Sequence, residues 1–260
     1  MAEYPNDVIR TIEERSSARV FTSEPLTEEE RAILTSAALR APNGGKMSKF
    51  SLIDVRDQAI KDRLAVLCDN QPFVAKAPGV YVILADFDRW FRLFRKYVGT
   101  LGVHINYPHE DEILFSIVDA ALAAENMAIA GESIGVGSCF IADVVTHHDE
   151  IREMLNLPQY VMPIMLGIFG HPVSKPKQRS ARIGVSVVHR DRYEPLRDDE
   201  MLDMIDPLIP RGADGAPVMT PEDYVTRYYI RRLGSWLSFE RTNSVRAMFR
   251  DWLKSPFGDE

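Results

Sequence analysis

The 260-residue sequence predicts an α/β or α+β fold in which helices cover both faces of a sheet, and three observations point to it. Apolar, β-branched runs of strand length recur at Phe50–Val55, Gly79–Phe87 and Val161–Gly170. Ile113, Leu114, Ile117, Val118, Ala121, Leu122, Ala124, Met127 and Ala128 mark a long helix that is apolar around most of its circumference, so it belongs deep in a core. Helical and strand patterns alternate along the chain up to about residue 195.

Taken in order, the opening MAEYPNDVIRTIEER has no apolar stretch and carries acids early, unlike a secretory signal. It leads into Arg15, Ser16, Ser17 and Arg19 between two helical segments. Two cations and hydroxyl donors beside a helix end suit an anionic ligand such as a phosphate, although the same residues also serve at ordinary exposed helix termini. Thr27 with Glu30 forms a capping box and starts a helix that stops before Pro42. The loop Pro42-Asn43-Gly44-Gly45 then precedes the first two strands, the second of which is apolar enough to be central. The long helix ends at Gly135-Val136-Gly137, and a strand over SCFIADV, a short helix over DEIREML, the strand VMPIMLGIFG and a last strand around GVSVVH follow. From Pro195 a Pro- and Gly-containing stretch reads as an extended connection, and Thr220-Pro221 opens two final helical stretches that run to about Lys254. One core over 1–195 with a C-terminal arm over 196–260 is simpler than two domains, because the arm alone would bury a marginal core.

Composition narrows the partners. Hydrophobic residues at 45% and charged residues at 27% describe an ordinary globular chain, and a net charge of −7 with no long basic run argues against nucleic acid. The apolar run 113–134 is interrupted by Asp119, Glu125 and Glu132, which would be costly in a bilayer. Cys68 and Cys139 are far apart and form no zinc or disulfide framework, which fits a reducing cytoplasm. His104, His109, His147 and His148 make no metal-ligand spacing, and HHDE at 147–150 reads as the polar start of a helix. Gly135-Val136-Gly137 follows a helix instead of a strand, so it is not a dinucleotide fingerprint. Cys139 is expected to be a small buried hydrophobe with no local cation.

Four segments in order resemble the nitroreductase family of flavin mononucleotide (FMN) enzymes: RSSARVF, the Ala41-Pro42-Asn43-Gly44-Gly45 loop, the buried helix running through GVGSCFIADV, and LNLPQYVMPIMLGIFGHP with its basic sequel. The resemblance covers roughly residues 8 to 195, and the arm is similar to that of the larger oxygen-insensitive, NADPH-preferring branch. It implies an α+β nitroreductase-like fold, a central mostly antiparallel sheet flanked by helices, and a homodimer whose exchanged arms complete two flavin sites. It also implies that Arg15 is a phosphate cation, Ser17 with Ser16 a hydroxyl donor, and Arg19 a cation near the ring's N1 and C2 carbonyl. Pro42, Asn43 and Gly44 would approach the cofactor, Gln71 would hydrogen-bond the ring, and Phe140, Ile141, Ala142 and Asp143 would lie beside it. Arg182, with Lys177 or Arg179, would complete the phosphate site. Arg227, Arg231 and Arg232 on the arm would recognise the 2'-phosphate of NADPH, or else form a solvated helix face.

The sequence also departs from the family. Asp143 stands near where relatives have Gly-Gly, and a carboxylate there would oppose charge on a reduced flavin. Lys46, Ser48 and Lys49 replace the usual Asn, Gln and Pro, so substrate contacts do not carry over. The resulting expectation is an FMN-dependent enzyme that reduces nitroaromatic, quinone or flavin-type acceptors with NAD(P)H by a ping-pong cycle, with the flavin doing the chemistry and no side-chain nucleophile or metal. The alternatives are a specialised relative (reductive dehalogenase, flavin-fragmenting synthase or FMN-dependent dehydrogenase) and a low-turnover flavin-binding protein.

Overall fold

The computed structural model describes residues 4–174 and 187–255. These divide into two compact units, Met1–Pro176 with Glu240–Glu260, and Lys177–Phe239.

In the first unit four strands form one antiparallel sheet in the order β1-β2-β4-β3, with β1 Phe50–Asp54, β2 Gly79–Asp86, β3 Gly137–Ile141 and β4 Val161–Gly170. The central β2 is buried along its whole length, which explains its unbroken apolar sequence. Its side chains still alternate, with Val80, Val82 and Leu84 on one face and Tyr81 and Ile83 on the other. Pro163 lies in the other central strand, where a proline would normally break the ladder. The register shifts at this point, between Ile83 and Leu84 of β2, so the missing N–H falls at a bulge.

Two helices cover one face, α2 (Glu28–Leu39) and α6 (Glu110–Ser133). The helix α2 starts at the expected box, in which Thr27 Oγ1 accepts from Glu30 N at 3.2 Å and Glu30 Oε2 accepts from Thr27 N at 2.8 Å. Leu34 and Ala38 of α2 pack with Ala120, Ala123, Ala124 and Met127 of α6, and the alanines let the two helices and the sheet close together. The opposite face is covered by α3 (Gln58–Leu67), α4 (Pro72–Lys76) and α7 (His148–Met154). At the end of the sheet, Phe91 of α5 (Asp88–Tyr97), Tyr160, Met248 and Trp252 form a third cluster.

Trp252 belongs to the last helix, α10 (Trp236–Leu253), and meets Tyr160 edge-on with ring centroids 5.7 Å apart. Gln159 Nε2 donates to the carbonyls of Asp251, at 3.2 Å, and Lys254, at 2.7 Å, and so caps that helix on the core. The remaining short helix of this unit, α1 (Asp7–Glu14), begins at an Asn6 cap and ends at Arg15.

In the second unit, the reading of 195–220 as an extended connection is corrected. A helix, α8, spans Asp198–Ile205 and is followed by a 3-10 turn at Asp206–Leu208. Its acidic first turn and the Glu200 carboxylate, which accepts from Arg197 N at 2.9 Å, stabilise a helix too short to show a clear apolar period. Thr220 caps α9 (Pro221–Arg232) as expected. Val187–His189 of the expected last strand are not in a strand, because the chain runs into a turn with Asp191 at φ 63°. The rest of that strand lies outside the described residues.

Among the described residues one helix, Glu110–Ser133, is long and apolar enough to cross a membrane by length and composition. In the fold it is α6, packed against α2 and the sheet.

Candidate flavin site

After α1 ends at Arg15, the chain runs as an extra strand-like segment beside β3. Ser17 pairs with Ser138 in parallel, Ala18 N donates to Ser138 O at 2.9 Å, and Thr22 N donates to His171 O at 2.8 Å. This approach needs a glycine. A Cβ on Gly137 would lie 2.6 Å from Pro172 Cγ and 2.9 Å from Ala18 Cβ. Gly137→Ala is therefore expected to push the Arg15–Arg19 segment off β3, with a stability loss of about 1–3 kcal/mol, read from denaturant midpoints at unchanged slope.

The segment brings charge to the sheet edge. Arg15, mostly buried, lies 3.9 Å from Glu125 of α6, its ion partner among the described residues. Arg15, Ser17 and Arg19 all act on the Cys139 thiol of β3. Cys139 is thus buried as expected, but the expected lack of a neighbouring cation is corrected. Burial still dominates and pushes the thiol up from its ordinary pKa, against the pull of Arg19, Ser17 and Arg15, so it stays a thiol.

The Pro42–Gly45 loop is held from α6. Asp119, buried in the apolar helix, accepts from Gly44 N at 3.0 Å and from Lys49 N at 2.9 Å. Asn43 Oδ1 accepts from Ser48 N at 3.1 Å and closes the loop. Gly45, Lys46 and Ser48 all have positive φ, so the backbone is tightly wound, and the N–H groups of Gly44, Ser48 and Lys49 meet side-chain acceptors while that of Met47 meets the Gly44 carbonyl. Lys49 points inward. Its ammonium pairs with Glu112 at 2.7 Å and lies 4.7 Å from the Phe115 ring centroid.

At the end of β3, Phe140 and Ile141 lead into a 3-10 turn over Ala142–Thr146. The Asp143 carboxylate, expected to oppose charge on a reduced flavin, is itself paired. Its Oδ1 is 3.1 Å from Arg241 of α10, and its Oδ2 accepts from Gln71 Nε2 at 3.1 Å. Gln71 Nε2 also donates to Cys68 O at 2.6 Å. Burial and the Asp143 charge together push the Cys68 thiol up to about 12. Arg241 was missed by the sequence reading, since a lone arginine in a C-terminal helix carries no signal of its partner.

The basic residues Lys177, Arg179 and Arg182 lie outside the described residues. Arg227, Arg231 and Arg232 are exposed on α9 of the second unit, with Arg231 over the Tyr228 ring at 5.9 Å. His148, Asp149 and Asp251 come within metal-ligand distance of one another. However, Asp251 is already bound by His148 at 3.2 Å, Arg152 at 2.9 Å and Lys254 at 2.6 Å, a structural tie for α10.

The model of the nitroreductase family matches residues 12–171, from the Arg15 segment to the end of β4. The chain belongs to the nitroreductase family. An FMN reductase (NADPH) of Bacillus subtilis (strain 168) is 35% identical over 196 residues, 75% of this chain and 77% of its own. An oxygen-insensitive NADPH nitroreductase of Salmonella typhimurium is 27% identical over 230 residues, 88% of each chain. Among solved structures, B. megaterium NfrA2 superposes with a TM-score of 0.78 at 25% identity, over 95% of this chain and 97% of its own. The four-stranded antiparallel sheet flanked by helices is thus the nitroreductase fold that the sequence predicted.

Proposed function

We propose that this chain is an FMN-dependent oxidoreductase that takes reducing equivalents from NAD(P)H and passes them to a small acceptor of the nitroaromatic, quinone or flavin class. The observation that carries this reading is the meeting of Arg15, Ser17 and Arg19 at Cys139, in a chain of this family. Among the described residues the ion partner of Arg15 is Glu125, at 3.9 Å, and Arg19 reaches the same Cys139, so this edge carries two guanidinium groups suited to one phosphate and an electron-rich ring edge. Related proteins carrying the names FMN reductase and NADPH nitroreductase support the same cofactor and donor.

FMN, when bound, supplies the hydride- and electron-transfer chemistry. Arg15, with Ser16 and Ser17, holds the phosphate, and the basic segment with Lys177, Arg179 and Arg182 adds cations to it. Arg19 favours negative charge at the ring edge. Pro42, Asn43 and Gly44 line the cofactor through a loop that Asp119 keeps in place. Phe140, Ile141, Ala142 and Asp143 border the ring, Gln71 bonds it, and donor and acceptor use one pocket in turn. Arg227, Arg231 and Arg232 serve the 2'-phosphate of NADPH.

The working form is a homodimer of the cytoplasm, with the arm over 196–260 contributing to the partner. Exposed apolar side chains support it. Leu114, Phe115, Val118 and Leu122 form a stripe on α6, and Tyr228, Tyr229, Leu233 and Trp236 are exposed in the arm.

Chromatography of the chromophore released by heating the purified yellow protein is expected to give FMN and no FAD. Colourless protein that takes up no FMN would remove the proposal.

A further inference from the structure

Gln71 has only one polar direction left to offer. Both partners of its Nε2, the Cys68 carbonyl at 2.6 Å and the Asp143 carboxylate at 3.1 Å, are acceptors, so the amide nitrogen must face them. The two acceptors settle the sense of the carboxamide by chemistry and leave Oε1 without a hydrogen-bond partner among the described residues. Asp143 is itself held in place, because its other oxygen is 3.1 Å from Arg241. That guanidinium is partly buried, and its Nε has no hydrogen-bond partner among the described residues, where Asp143 is its charge partner. Removing Asp143 would leave a part-buried cation unpaired and Gln71 held by a single bond.

We infer that Asp143, braced by Arg241, is a positioning residue that presents Gln71 to the cofactor as a hydrogen-bond acceptor. The inference rests on the FMN reading above. An oxidised isoalloxazine ring has several acceptors (the two carbonyls, N1 and N5) and one N–H, at N3. An acceptor oxygen therefore has one complement on that ring, the N3–H, whereas a freely turning glutamine would also pair with the carbonyls by its NH2 group. The carboxylate that breaks the family pattern thus selects the orientation of a residue that keeps it, and Arg241 offsets the negative charge this places beside the ring.

The test uses apoprotein titrated with FMN and with N3-methyl-FMN, which lacks the N–H, with quenching of flavin fluorescence as the readout. The wild-type protein is expected to bind the methylated analogue about tenfold more weakly, the size of one hydrogen bond. In Gln71→Leu the preference disappears. In Asp143→Ala it falls by about threefold or more, whereas Asp143→Asn, whose Oδ1 can still accept from Gln71, keeps most of it; Asp143→Ala adds nothing in the Gln71→Leu background. If Asp143→Ala does not give folded apoprotein, Asp143→Val makes the same comparison. An unchanged preference in Asp143→Ala, or an equal loss with and without Gln71, would overturn the inference and leave the FMN reading intact. Apoprotein that binds neither flavin would instead sink the FMN reading.

Discussion

Asp119→Ala is expected to lower stability by about 3 kcal/mol, because it leaves the amides of Gly44 and Lys49 without their acceptor inside the protein. In a chain of this size that is a fall of about 6–12 °C in the melting midpoint. The loss should be accompanied by weaker flavin retention, since the same carboxylate winds the Pro42–Gly45 loop into shape. Asp119→Asn should recover part of the stability, because its single carbonyl oxygen can accept from one of the two amides. Thermal melts of the three proteins, with and without added FMN, provide the check. An alanine variant that melts with the wild type would show that water or a shifted loop replaces the carboxylate.

Arg15→Ala and Arg19→Ala should separate binding from redox tuning. Arg15 is mostly buried, and among the described residues its ion partner is Glu125 at the long distance of 3.9 Å, which leaves its charge available to a phosphate. A charge-assisted hydrogen bond of that kind is worth about 1.5–3 kcal/mol, so Arg15→Ala should weaken FMN binding by about 10- to 100-fold. Binding through the phosphate is the same for both redox states, so the midpoint potential should move little. Arg19→Ala should do the reverse, lowering the potential with a smaller change in affinity, because a cation at the ring edge acts on the state that carries negative charge. Titration of apoprotein with FMN, combined with potentiometry of the loaded variants, reads both quantities. Equal shifts of potential in the two variants would contradict the assignment.

Legibility in the sequence followed the range of the interactions. The α2 helix announces itself because its box lies within four consecutive residues, and β4 because ten residues of strand character lie between turn signals. The Arg15–Arg19 motif was readable as a set of residue types, but its place along β3 depends on the close approach at Gly137, which no local pattern encodes. Asp119 was visible only as an acid in an apolar helix. The amides it serves lie 75 and 70 residues away, so its role emerges only when α6 packs over the loop. Arg241 was invisible for the same reason, and without it Asp143 was legible only as a carboxylate opposing charge on a reduced flavin. The missed α8 failed differently, since eight residues between prolines hold too few turns for an apolar period, and only its acidic first turn was there to find.

The most direct test of the account is anaerobic mixing of the purified, FMN-loaded protein with NADPH in a stopped-flow instrument, following the visible absorbance of the flavin. The account predicts that the flavin bleaches within a single exposure to NADPH and regains its colour when a quinone or nitroarene is added. A bound flavin that stays oxidised in the presence of both NADPH and NADH would contradict it.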